Sequence, residues 1–208
     1  MNMSMKNIKW KSLIMTWLVI LLGIIPGIVF WNELPESVAI HFNIHNQADG
    51  FSSKGFAVFG LTLMMVALQA VCCIITDINS HKHGERAKFE TVVKWILPVM
   101  TIALQIITVG YNVGMNIDIR KAVAVIVGLM FVVMGNYMPK FDYIKNYNTD
   151  TQKARKINRV IGFEMVIMGL LAIVTAFLPS LFTLIWLFSL IPYAILNSLY
   201  VIKCCKKD

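Results

Sequence analysis

Leu13 to Trp31 reads LIMTWLVILLGIIPGIVFW, an apolar run with no charged side chain. A helix rises about 1.5 Å per residue, so this run is long enough for the roughly 30 Å of hydrocarbon in a bilayer. It exceeds the apolar core of a signal peptide, and no small-x-small cleavage site follows before Trp31. A retained anchor is therefore expected. Five further runs share this character, at about Gly55 to Thr76, Trp95 to Val113, Ala122 to Tyr137, Val160 to Leu178 and Leu181 to Ile202. Only Pro179-Ser180 separates the last two, which predicts a tight helical hairpin.

Composition points the same way. Of 208 residues, 58% are apolar and 14% charged, with a mean hydropathy of +0.70. A soluble domain carries about a quarter of its residues as charges, so that class is excluded. The expected fold class is an all-α integral membrane protein with about six transmembrane helices and a short extracytoplasmic strand-turn lid between helices one and two. The longest connections, Asn32 to Lys54 and Met138 to Arg159, fall far short of the roughly 50 residues of an independent domain. The chain thus reads as one continuous bundle in two parts, 1–80 with helices one, two and the loop 32–54, and 81–208 with helices three to six.

Cations set the expected orientation. Of 19 Lys and Arg, all but Lys54, Arg120 and Lys121 fall before helix one, between helices two and three, between four and five, or after six. By the positive-inside rule both termini lie in the cytoplasm of a bacterial plasma membrane. Topology then accounts for the formal charge of +8. Spread cations without a nucleic-acid-binding motif argue against direct nucleic-acid binding. Cys72-Cys73 lie within helix two and Cys204-Cys205 beside the tail lysines. Neither pair has metal-type spacing or suggests an external disulfide, so the thiols read as inert.

Between helices one and two, Val38, Ile40, Phe42 and Ile44 alternate with Ser37, Ala39, His41, Asn43 and His45. This period of two predicts a strand from Ser37 to His45. Asn46 to Gly50 then supplies turn residues, with Asp49-Gly50 as a tight-turn signal. On a strand, His41 and His45 stand roughly 13 Å apart, too far to share a zinc ion, so no metal site is expected. His41, Asn43, Asp49 and Lys54 either hold the loop together or bind a ligand directly; both readings stand.

Leu34-Pro35, His41-Phe42-Asn43, Asp49-Gly50 and Ser53-Lys54, in this order, resemble the N-terminal domain of the SdpI family of bacterial membrane proteins. Gly135-Asn136-Tyr137-Met138-Pro139-Lys140, at the end of helix four, is similar to that family's second signature. The resemblance covers most of the chain and implies immunity to a secreted killing peptide. It marks His41, Phe42, Asn43, Asp49, Gly50 and Lys54 as candidate recognition residues. Gly135, Asn136, Tyr137, Pro139 and Lys140 form the second motif. The resemblance further implies an ArsR-type cytoplasmic repressor as a partner, for which Lys153, Arg155, Lys156 and Arg159 are candidate docking residues. Phe141 to Asn158 departs from the family pattern, which often has Gly-Ile-Arg-Thr after the Pro-Lys and a Trp further on.

Within the apolar runs, Glu164 sits about 6 Å beyond Val160, where it serves either as a structural charge or in proton coupling. Gln69 and Gln105 lie near the middles of helices two and three, suited to hydrogen bonds across a helix interface. Pro26, Pro98 and Pro192 predict kinks. No His-Glu-x-x-His, Gly-x-Ser-x-Gly, phosphate loop or intramembrane acidic pair is present, so neither catalytic residues nor a cofactor is expected. The leading expectation is an immunity or signalling protein of the membrane that protects against a secreted antimicrobial peptide. The rivals are a small-solute or peptide transporter using Glu164, and an assembly subunit without a ligand.

Overall fold

The computed structural model describes residues 8–78, 85–140 and 151–205. Lys6, Lys82, Lys145, Lys206 and Lys207, counted in the charge distribution, lie outside them, as does the departing stretch 141–150. The chain forms α1 (Trp10–Leu22), a short α2 (Ile25–Val29), β1 (Ser37–Phe42), β2 (Ala48–Ser53) and a π-helical turn, Phe56–Gly60, that runs into α3 (Leu61–Ile78). Then come α4 (Glu85–Asn112), α5 (Ile119–Tyr137), α6 (Thr151–Thr175) and α7 (Ser180–Cys205).

Six helical segments are long and apolar enough to cross a membrane: Trp10–Val29, Phe56–Ile78, Phe89–Asn112, Ile119–Tyr137, Gln152–Thr175 and Ser180–Cys204. Pro26 sits in the first turn of α2, where the helix itself makes no use of its N–H. The fifth segment begins earlier than the apolar run from Val160 suggests. The basic residues Lys153, Arg155, Lys156 and Arg159 are exposed on the opening turns of α6, while Ala154, Ile157 and Asn158 are buried. That spacing is a helical stripe, so α6 continues past its apolar portion.

Two compact units make up the chain, one from residues 1–81 and 93–122, the other from 82–92 and 123–208. In the first, α1 packs on α3, and the indole Nε1 of Trp17 donates to the Val66 carbonyl at 3.0 Å. Two glutamines serve backbone that irregular helix leaves open. Pro98 inside α4 has no N–H for the carbonyl four residues before it, that of Lys94. Gln69 Nε2 donates to that carbonyl at 2.8 Å. The π-helical turn likewise loosens its carbonyls, and Gln105 Nε2 reaches those of Ala57 and Val58 at 3.1 and 3.4 Å and Thr62 Oγ1 at 3.0 Å.

In the second unit α5 and α6 approach through glycines seven residues apart on each helix. A Cβ on Gly128 would lie 2.7 Å from the Gly169 carbonyl, and one on Gly135 would lie 2.5 Å from that of Gly162. The reverse distances, 2.5 Å from Gly169 to the Gly128 carbonyl and 2.6 Å from Gly162 to that of Gly135, are as short. Two antiparallel backbones thus touch where no side chain fits, which is how helices associate without a hydrophobic driving force in lipid. Trp186 Nε1 on α7 donates to the Met168 carbonyl of α6 at 2.9 Å.

Candidate functional site: a braced lid on the first unit

β1 and β2 pair antiparallel, with Ser37 opposite Ser53, Val38 opposite Ser52 and Ala39 opposite Phe51. The register shifts on either side of His41, which faces Gly50. Beneath the sheet, Leu34 and Val38 are buried with Ala57, Val58 and Val109, so the strand face seats on the ends of the helices.

The turn falls earlier than Asp49-Gly50. β1 ends at Phe42 rather than His45, because Asn43 Oδ1 accepts the backbone N–H groups of His45 and Gln47 at 2.9 and 3.0 Å. Asn46 takes the left-handed conformation, φ 61°, that asparagine tolerates. Asp49 and Gly50 are part of β2. Gly50 is required there by clearance, since a Cβ on it would lie 2.7 Å from the His41 Cβ.

Three sets of contacts brace this hairpin. Asn112, at the end of α4, accepts the Ala39 N–H at 2.8 Å through Oδ1 and donates to the Ala39 carbonyl at 2.9 Å through Nδ2. Its side-chain amide stands in for a third strand on the far edge of β1. At the turn, Asn46 Oδ1 accepts the Ile119 N–H at 2.8 Å, and Arg120 Nη1 donates to the Ile44 carbonyl at 2.9 Å while paired with Asp118. Phe42 stacks edge-on against Tyr111 at 4.6 Å between centroids. At the other end Lys54, only 9% exposed, donates to the Trp31 carbonyl at 3.1 Å, pairs with Glu36 at 3.1 Å and sits 5.1 Å over the Trp31 ring.

Of the six candidate recognition residues, Phe42, Asn43, Gly50 and Lys54 are thus turned to packing, turn closure, clearance and anchoring. His41 and Asp49 are the two on display. His41 Nδ1 and Asp49 Oδ1 lie 2.5 Å apart, with 73% and 43% of their side chains exposed. A pair so exposed contributes about 0–1 kcal/mol to stability. The lid is held without it, which leaves both groups free to meet a ligand. Among the described residues, no three His, Cys, Asp or Glu gather into a metal-holding group.

Other candidates are placed elsewhere. In the second motif, Gly135 makes the close helix crossing, and Pro139 Cδ and Met138 Cβ border Gly162. Asn136 is exposed and Tyr137 half-buried. Glu164 is half-buried in α6. A buried ion pair with no apolar-run signal joins α3 to α4: Lys94 Nζ lies 2.5 Å from Asp77 Oδ1, with 3% and 1% of the side chains exposed. Asp77 Oδ2 also accepts the Lys9 N–H at 3.1 Å.

The family described as Domain of unknown function (DUF1648) matches residues 18–66, which take in most of the first span, the whole lid and the start of α3. No curated protein and no solved structure matches the chain.

Proposed function

We propose that this chain is a membrane immunity protein whose lid faces the exterior and recognises a secreted antimicrobial peptide. The observation that carries the reading is the lid itself, a hairpin braced by Asn112, Arg120 and Lys54 that displays a hydrogen-bonded His41 and Asp49 it does not need for stability. Rigid scaffolds that present polar groups on connecting segments are where recognition concentrates. The DUF1648 match centred on this segment and the SdpI-like motif residues support it. The exposed basic stripe of α6, Lys153, Arg155, Lys156 and Arg159, fits an acidic cytoplasmic partner such as an ArsR-type repressor.

Changing His41, Asn43 and Asp49 together to Ala removes protection in a killing assay at unchanged membrane abundance. Protection that persists in a well-expressed triple variant contradicts the reading.

One observation favours a second reading, transport. Among the described residues Glu164 makes no hydrogen bond or ion pair although it is half-buried in a spanning segment, where an acid is costly. On that reading Glu164→Gln abolishes an ion-dependent flux in proteoliposomes; on the immunity reading no flux is seen in either protein.

A further inference from the structure

On α6 the exposed cations and the exposed apolar side chains share one side of the helix. At about 100° of turn per residue, Lys153, Arg155, Lys156 and Arg159, all exposed, fall within one arc of roughly 160°. Ala154, Ile157 and Asn158 are buried on the opposite arc, where Ala154 and Ile157 pack with Tyr200, Val201 and Cys204 of α7. Followed along the axis, the cationic arc runs into Phe163, Ile167, Leu170 and Val174, each a large exposed apolar side chain. No Asp or Glu occurs between Thr151 and Phe163. Among the described residues none of the four cations is given an acid by the protein itself.

An exposed apolar face on a spanning segment is covered by acyl chains. The lipid that covers Phe163 brings its phosphate to the next turns of the same arc, because headgroup and chain are one molecule. Arg159, Lys156 and Arg155 stand about 6, 10 and 12 Å along the axis from Phe163, at the depth of the interfacial layer. Their stems lie along the helix while their charged ends reach the headgroups. Arg155 and Arg159, one turn apart, are spaced to share one phosphate, which the guanidinium fork matches.

We propose that this arc of α6 binds an anionic phospholipid, its phosphodiester on Arg155 and Arg159 and its chains along Phe163, Ile167 and Leu170. Lys153 and Lys156 flank the two arginines, so the surplus positive charge favours a headgroup with no ammonium of its own, such as phosphatidylglycerol, over phosphatidylcholine. The site stands apart from the lid. An acidic protein, the partner considered above for this stripe, has to displace the headgroups to reach it, and it is the alternative occupant that the test decides.

The test uses the full chain in detergent micelles, titrated with phosphatidylglycerol or phosphatidylcholine of identical acyl chains and read as bound-lipid adducts by native mass spectrometry. Phosphatidylglycerol binds on the order of tenfold more tightly. Arg155→Gln with Arg159→Gln removes that preference. Lys9→Gln with Lys11→Gln takes two exposed cations from the start of the first span, lowers the net charge equally and keeps the preference. Both double variants retain the Tm of the unaltered chain in phosphatidylcholine nanodiscs, since all four side chains are exposed. A preference that survives in the arginine variant, or that falls equally in both double variants and so follows net charge alone, overturns the site. Equal affinity of the unaltered chain for the two lipids overturns it too, and leaves the α6 cations to an acidic protein. None of these results bears on recognition by the lid, which the triple alanine variant judges in the killing assay.

Discussion

Replacing Asn112 with Leu keeps the bulk at the end of α4 and deletes the amide that closes the β1 edge. Ala39 is 2% exposed, and Asn112 is the partner of both its outward groups. Each backbone group left unpaired in a buried setting costs about 1–3 kcal/mol, so with two such groups the closed lid loses about 2–6 kcal/mol. At about 1.4 kcal/mol per factor of ten, the open lid becomes roughly 30-fold or more commoner. Hydrogen exchange read by mass spectrometry over residues 37–42 reports this directly, because their inward amides exchange only when the hairpin opens. The variant accelerates exchange there by that factor while the spans Phe56–Ile78 and Ile119–Tyr137 stay protected. Unchanged exchange over 37–42 would refute the idea that Asn112 acts as a surrogate strand.

Three further outcomes follow from the packing. Gly135→Ala places a methyl group against the Gly162 carbonyl and costs about 1–3 kcal/mol, read as a fall of several degrees in Tm, whereas Gly55→Ala, with nothing within 4 Å of its Cβ, leaves Tm unchanged or raises it. Either Asp77→Asn or Lys94→Met alone strips a buried charge of its partner and costs about 3–5 kcal/mol, and the double variant recovers most of that in a thermal aggregation assay. Gln69→Leu leaves the Lys94 carbonyl beside Pro98 unpaired and lowers Tm, while Gln69→Glu, which loses the donor but keeps the shape, does no better.

How much of this was legible beforehand depends on the scale of the signal. Six apolar runs and the alternation from Val38 to Phe42 are long-range patterns, and the elements they predict are present. The turn was misplaced because Asp49-Gly50 is a turn signal by type, whereas here Gly50 is needed for clearance opposite His41 and Asn43 closes the chain earlier. Lys94 reads as a flanking cation in a charge count, yet it is buried against Asp77; hydropathy cannot see a charge that a partner neutralises. Gln69 and Gln105 read as interface residues, but their acceptors are backbone carbonyls left open by a proline and a π-helical turn, which only the folded chain reveals. The heptad spacing of Gly128 with Gly135, and of Gly162 with Gly169, was present in the sequence. It carries no meaning until two helices are known to cross there. Asn112, a lone amide at the end of an apolar run, gave no hint that it completes a sheet.

Recognition of a secreted peptide requires the lid to be exposed on the outer side of the membrane. His45, exposed at the tip of the turn, is the place to ask. In a variant lacking the native cysteines, His45→Cys reacts with a membrane-impermeant maleimide in intact cells, before any lysis. Labelling that appears only after the cells are broken would place the hairpin in the cytoplasm and contradict the account.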